Sequence, residues 1–409
     1  MSDQFINIYN ELHYLNLRKS TFTERKIFSP YTHNLVNDPT VIDTEEELPF
    51  MCCTMQNSTM MRSINVLLNG LSLDEYKLIN IILDGVFELT TGWGLPTLPT
   101  SSLMRHLFQK RMLKKFFPDK KNILEIGPGS GYFSLLLALE HSGYCVFNTD
   151  VTQALYVYQH ELYKKFNTLI ELADYESDSL NDLVKLPPSV LKNKIVHIPW
   201  WKYKNLNSVR INVDVIVVNH AICEMHITAV QHLLSVAQSL NYPDFFMDST
   251  GLLGVNLSFS QVISIFDDYG YTMEYSVNDL YIFSKKTSSV EDKFEKLTKV
   301  TNFNKENFYL NFGKKILRKM FNLFPFGRPI ARELIRIYNE IYFSLSGYRE
   351  FKRISKLVEL DSADAMKTSQ NSGIYFYDDI SDIYQTKFGM NNVLSLDEVF
   401  LEKMSSKVN

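Results

Sequence analysis

Cysteine is scarce, with four in 409 residues. Two of these, Cys52 and Cys53, are adjacent, and none forms a Cys-x-x-Cys pair. That excludes the usual zinc spacings and a disulfide framework, and it points to a reducing compartment. No apolar run approaches the ~20 residues that span a bilayer. The opening Met1-Ser-Asp-Gln-Phe-Ile has no basic-then-apolar signal pattern, so a cytoplasmic location is expected. Neither charge sign dominates: 42 Lys and Arg face 46 Asp and Glu, for a net charge of −4, which argues against a general nucleic-acid coat. Internal repeats and low-complexity tracts are also missing. What is present is ordinary for a globular chain of two or three domains, with 45% apolar and 22% charged residues. Aromatics are plentiful at 13%, chiefly 28 Phe and 23 Tyr.

The most informative stretch is Leu124-Glu-Ile-Gly127-Pro-Gly129-Ser-Gly131-Tyr-Phe133. A short apolar strand, a glycine turn and the helix-like Ser134–Leu139 make a nucleotide-type cradle. Glycine lets the backbone bend sharply and approach a ligand closely. The helix N-terminus adds unpaired N–H groups and partial positive charge. A dinucleotide fingerprint requires glycine at position 132, which here is Tyr. Glu125 instead stands two residues before the first of three alternating glycines. That form resembles motif I of the class I methyltransferases that use S-adenosylmethionine. Tyr144–Asp150 then reads as a second strand ending in an acid, at the distance suited to bind ribose hydroxyls.

Three regions are expected. Residues 1–120 form a helical cap or substrate-side region, with helix-like runs at Met60–Leu68, Leu73–Leu89 and the basic Ser101–Phe117. Residues 121–286 alternate strand and helix. The strands are Asn122–Ile126, Cys145–Thr149, Ile195–Ile198, Val213–Asn219 and Asp244–Asp248, and the helices between them are Tyr132–His141, Gln153–Phe166 and Ile227–Leu240. This pattern predicts an α/β fold with a parallel sheet covered on both faces. A further helix near Ser258–Phe266 leads to Tyr271–Val277, a turn at Asn278-Asp279 and Leu280–Ser284. That ending resembles the reversed hairpin of a Rossmann-like class I methyltransferase sheet. Residues 287–409 read as a mostly helical extension. Its segment 314–356 holds eleven Lys and Arg against three Glu. Solvated helix faces or a peripheral contact with an anionic surface would each account for that excess.

Ligands of open α/β sheets sit beyond the C-terminal ends of the parallel strands. The residues expected at the cofactor are therefore Glu125, Gly127, Pro128, Gly129, Ser130 and Gly131, then Asp150 and Val151, then Trp200 and Asn219. Trp201 is expected at the acceptor; either tryptophan offers a flat ring for adenine or for an acceptor pocket. His220 follows the fourth strand, where a base suits a hydroxyl acceptor because imidazole titrates near neutrality. Glu224 shares a face with His220 if a helix starts there, and then orients it. His226 and Asp248 are further acceptor-side candidates. Asp248 with Glu224 would suit a divalent ion, which is possible but not favoured, and no His/Cys spacing supports zinc.

Glu125–Phe133, Asp150-Val-Thr-Gln-Ala-Leu-Tyr-Val-Tyr-Gln159 and Asn219-His220-Ala-Ile-Cys-Glu224-Met225 together resemble the bacterial sugar O-methyltransferase family. The likeness is good over about 120–250, loose before it and negligible after 290. It implies S-adenosylmethionine as cofactor, a sugar, nucleotide-sugar or glycan hydroxyl as acceptor, and a place in surface-polysaccharide biosynthesis. It also puts Tyr156 and Gln159 on the helix after the ribose acid, with Gln159 directed at cofactor or acceptor. DNA is not an expected partner, because Asn-His-Ala-Ile replaces the Asn/Asp-Pro-Pro-Tyr/Phe of DNA amino-methyltransferases. Transfer to a protein, RNA or non-sugar small molecule, and a cofactor-binding scaffold without turnover, remain alternatives.

Overall fold

The computed structural model describes residues 2–27, 41–52, 71–140, 142–173, 193–203, 206, 211–219, 221–248, 257–277 and 280–286. The helix-like run at 60–68, His220 and the basic segment 314–356 lie outside them. The described elements are α1 (Ser2–Lys19), α2 (Phe22–Ile27), a 3₁₀ turn (Glu45–Met51), α3 (Leu73–Gly92) and α4 (Thr100–Phe116). The sheet region follows with β1 (Asn122–Ile126), α5 (Tyr132–Leu139), β2 (Cys145–Asp150), α6 (Gln153–Lys165), β3 (Glu171–Ala173) and β4 (Lys194–Pro199). It continues through α7 (Trp200–Tyr203), β5 (Val215–Val217), α8 (Ile227–Ser239), β6 (Asp244–Asp248), α9 (Phe259–Asp268), β7 (Tyr271–Val277) and β8 (Leu280–Lys285).

Eight strands form one sheet in the order β3-β4-β2-β1-β5-β6-β8-β7. From β3 to β6 every neighbour is parallel. β8 inserts antiparallel between β6 and β7. The parallel strands β2, β4 and β5 are buried along their whole length, as sheets covered on both faces are. The chain moves outward from β1 to β2 and β4, then crosses back to β5. The strand order therefore reverses between β1 and β5, the switch point beyond whose C-terminal strand ends open α/β sheets bind ligands. Six parallel strands closed by an inserted antiparallel one make this the Rossmann-like class I methyltransferase architecture, as the reversed hairpin led one to expect.

Two helices start with a capping box. Ser72 and Glu75 form a reciprocal capping box at α3, and Ser258 and Gln261 do the same at α9. Two strands differ from the sequence reading. The strand expected over Val213–Asn219 shortens to Val215–Val217, although Val218 still donates to the carbonyl of Phe246 at 3.1 Å. β3 is an edge strand of three residues, too short to show alternation. The helix expected from Ile227 does start there, and before it Glu224 and Met225 both donate back to the Ala221 carbonyl in one tight turn.

The N-terminal region packs on the sheet region through aromatic rings. Phe5 stacks on His160 at 3.6 Å between centroids, and Tyr9 stacks on Tyr156 at 4.6 Å. Both partners lie on α6, so α1 covers the outer side of that helix. The indole N–H of Trp200 donates to His13 at 3.1 Å.

Candidate active site

The glycine turn lies between β1 and α5, at the C-terminal edge of the central strand. All three glycines have positive φ: 68° at Gly127, 59° at Gly129 and 78° at Gly131. Side chains resist this conformation, so the alternating glycines are a backbone requirement of the turn. The Gly127 amide donates to the Thr149 carbonyl at 3.0 Å, which ties the turn to the end of β2. Asp150 ends that strand. Its carboxylate accepts the Thr152 amide at 2.8 Å and the Gln159 side-chain amide at 3.4 Å. Gln159 also donates to the Gly129 carbonyl at 2.6 Å and meets His197 at 3.0 Å. Gln159 is thus a brace between the turn, the acid and β4, where the sequence directed it at a ligand.

Below the turn runs a polar row that sequence reasoning missed. In the strand register Glu125 pairs with Asn148, and Asn148 with His197. All three are buried. Ser134 donates to Glu125 at 2.5 Å, and Asn148 donates to Ser134 at 3.2 Å and to the Tyr163 hydroxyl at 2.6 Å. Tyr163 returns to the Gly131 carbonyl at 3.2 Å, and Tyr156 stacks on His197 at 3.7 Å. Glu125 was expected at the cofactor, but its row with Asn148 and His197 exists only through the strand register. The useful signal was the i, i+3, i+7 spacing of Tyr156, Gln159 and Tyr163 on one helix face.

Burial raises the pKa of both carboxylates at this edge. Asp150 is pushed up to about 6 by desolvation, against hydrogen bonds from Thr152 and Gln159 that favour its charged form. Glu125 is pushed up to about 8 by desolvation, which outweighs its hydrogen bond from Ser134, and the nearby Asp150 adds to the rise. Linkage fixes the sign: a carboxyl whose pKa is raised on folding loses stability as pH climbs from its ordinary value, here 4.5, through about 8. Wild type should therefore fall in melting temperature relative to Glu125→Gln as pH rises from about 5 to 8.5. Scanning calorimetry of the two at several pH values checks this, and parallel curves would contradict it.

The N-terminal segment closes over this edge. Ser130 Oγ donates to the Met51 carbonyl at 2.9 Å, and the Tyr132 hydroxyl donates to the Cys52 carbonyl at 2.7 Å. The Gln153 side chain accepts the Ile42 amide at 2.8 Å and donates to the Ile42 carbonyl at 3.2 Å. Ser130 and Asp150 are consequently buried. Pro128 sits inside the turn, and Val151, half-buried, follows Asp150.

The remaining expected residues fall into two places. Trp200 and Trp201 are buried toward α1, the first on His13 and the second 5.0 Å from the Tyr9 ring. Asn219, Glu224, His226 and Asp248 lie around the ends of β5 and β6. His226 Nδ1 accepts the Thr228 amide at 3.2 Å and so caps α8. Glu224 is half-buried in the turn at Ala221, and His220, with which it was to share a face, lies outside the described residues. Asp248 accepts Arg105 at 3.2 Å and Gln109 at 3.0 Å, and its own amide donates to Asn219 Oδ1 at 2.8 Å. Among the described residues no group of three His, Cys, Asp or Glu is placed to hold a metal ion. Likewise, none of the described helices is long and apolar enough to cross a membrane.

No family model matches the chain, and no curated protein matches it. Solved structures do overlap with part of it. Magnesium protoporphyrin IX methyltransferase from Synechocystis PCC 6803 with bound SAM is 8% identical, over 45% of this chain and 84% of that one, with a TM-score of 0.29. A SAM dependent methyltransferase from Aquifex aeolicus is 16% identical, over 46% and 97%, with a TM-score of 0.29. CalS10, an amino pentose methyltransferase from Micromonospora echinaspora, is 7% identical, over 44% and 90%, with a TM-score of 0.29. Likeness this slight assigns neither substrate nor reaction.

Proposed function

We propose that the chain is an S-adenosylmethionine-dependent methyltransferase that acts on oxygen, with a sugar or glycan hydroxyl as acceptor. One observation carries the cofactor: three positive-φ glycines end the central strand, and a carboxylate ends the strand beside it. The residues fit that group. The turn can bring backbone amides to the amino-acid tail, and Asp150 can accept hydrogen bonds from the ribose hydroxyls. Gln159 holds both parts in register through the Gly129 carbonyl and the Asp150 carboxylate. When bound, the cofactor supplies the electrophilic methyl group, and the protein supplies alignment. The segment 41–52 packs over Ser130 and Tyr132 at the edge of the turn. The oxygen preference and the acceptor class rest on the resemblance carried by Asp150–Gln159 and Asn219–Met225.

His220 is the proposed base for the hydroxyl proton, with Glu224 nearby in sequence. His220→Ala should keep cofactor affinity but lower turnover by roughly 10²–10⁴-fold. Calorimetry and single-turnover kinetics measure the two separately, and unchanged turnover would remove His220 from the chemistry. The reading as a whole is tested by incubating the full chain with methyl-labelled cofactor and a panel of hydroxyl, amine and RNA acceptors. Label in an ether-linked methyl on a sugar supports it. Transfer to nitrogen, or binding with no transfer to any acceptor, would overturn it.

A further inference from the structure

Helix α4 buries polar side chains where an ordinary helix buries apolar ones. Arg105, His106 and Gln109 are 3%, 1% and 0% exposed. They form a hydrogen-bonded chain with the ends of β5 and β6, and its polarity can be read atom by atom. A carboxylate only accepts, so Gln109 presents its amide N–H to Asp248 Oδ2, at 3.0 Å. Its carbonyl therefore faces His106 Nδ1, at 2.8 Å. A carbonyl also only accepts, so the imidazole hydrogen sits on Nδ1, and Nε2 keeps a bare lone pair. His106 Nε2 is buried and has no hydrogen-bond partner among the described residues. At the other end of the chain, Asn219 uses its carbonyl on the Asp248 amide, and its Nδ2 is likewise buried without a partner.

One end thus lacks a donor and the other lacks an acceptor, and a buried polar group left unmet is destabilising. The cluster carries no net charge, because Arg105 offsets Asp248 and the imidazole is neutral. Burial is the main reason His106 is pushed down to about 4; Arg105 adds to the fall, and Gln109 and Asp248 oppose it. Among the described residues, Tyr132 also faces the ring, edge-on at 6.2 Å. Tyr132 begins α5 directly after the glycine turn, and Asn219 and Asp248 end neighbouring strands, so the cluster flanks the same edge on its β5–β6 side. A Cβ added at Gly127 would lie 3.6 Å from Ala221, so the two parts adjoin.

We propose that His106 Nε2 and Asn219 Nδ2 bind an uncharged, hydroxyl-bearing methyl acceptor, the first accepting a hydroxyl hydrogen and the second donating to an oxygen. This rests on the methyltransferase reading and narrows its acceptor. A hydroxyl both donates and accepts, so a polyol has the chemistry that either end lacks. An anionic acceptor would meet a lone pair at His106, and the nearby Arg105 is already paired with Asp248.

The test uses the full chain saturated with S-adenosylhomocysteine, and saturation-transfer NMR with methyl glucoside, methyl galactoside and methyl glucuronide as probes. Binding of a neutral glycoside is expected, weakened about tenfold in His106→Phe, the loss of one buried hydrogen bond. Affinity for S-adenosylhomocysteine should be unchanged in that variant. Preference for the glucuronide, no bound glycoside, or equal binding by His106→Phe would overturn the inference. Imidazole ¹⁵N spectra of wild type give a readout independent of that variant's folding. They should show His106 protonated on Nδ1 alone at neutral pH, with Nε2 shifting on glycoside addition; a proton on Nε2 would overturn the inference. Failure of S-adenosylhomocysteine to bind at all would instead sink the methyltransferase reading.

Discussion

Gly131→Ala should abolish S-adenosylmethionine binding while leaving a folded, less stable protein. Two penalties coincide. The backbone at 131 has φ of 78°, a conformation that costs an alanine about 1–2 kcal/mol. A Cβ there would overlap the Tyr163 hydroxyl and lie 3.0 Å from its ring carbon Cζ and 3.1 Å from Gln159 Cγ. Neither neighbour is free to swing away. Tyr163 is held by Asn148 and the Gly131 carbonyl, and Gln159 by Gly129, Asp150 and His197. Relief requires moving α6 or the turn, which displaces the amides that would face the cofactor. Overpacking of this kind costs about 1–3 kcal/mol in addition. Gly94→Ala is the matched control, with φ of 84° and nothing within 4 Å of the added carbon. It should carry the backbone strain and keep the binding. Calorimetry with S-adenosylhomocysteine measures both variants, and retained binding in Gly131→Ala would move the cofactor away from this turn.

The second large effect is at Asp150. Asp150→Ala should weaken cofactor binding by roughly 10²-fold or more, since a hydrogen bond to a charged group is worth about 1.5–3 kcal/mol and the ribose offers two hydroxyls. It would also leave the Thr152 amide and the Gln159 side chain without their acceptor, so some stability is lost as well. Asp150→Asn separates the two effects, because it keeps the shape and loses the charge. Burial has pushed the Asp150 pKa up to about 6, so the ionised form that suits two hydroxyl donors is lost as pH falls through that value. Cofactor affinity of wild type should drop below about pH 6, and that of Asp150→Asn should stay flat across the same range. A wild-type affinity independent of pH between 5 and 8 would contradict the assignment.

The glycine turn and Asp150 were legible in the sequence because local chemistry dictates them. Only glycine tolerates the backbone at 127, 129 and 131, and strand length fixes where the acid falls. The alternation of strands and helices, and the reversed closing hairpin, were legible for a similar reason. Residues whose meaning depends on register were not. Glu125, Asn148 and His197 lie on three strands and become a row only through the pairing of β1, β2 and β4. The docking of 41–52 onto Ser130, Tyr132 and Gln153 joins residues far apart in sequence, and no periodic pattern announces it. The turn before Ile227 was not legible either, because it rests on the Glu224 and Met225 amides donating back to the Ala221 carbonyl. Arg105, His106 and Gln109 read as an ordinary basic helix until Asp248 was found against them.

The assignment of the turn is tested most directly by titrating the full chain, in separate calorimeter runs, with S-adenosylhomocysteine and with NAD. One molecule of S-adenosylhomocysteine per chain, no heat from NAD, and loss of the signal in Gly131→Ala are the expected results. Binding of NAD in its place, or S-adenosylhomocysteine bound equally well by Gly131→Ala, would contradict the assignment.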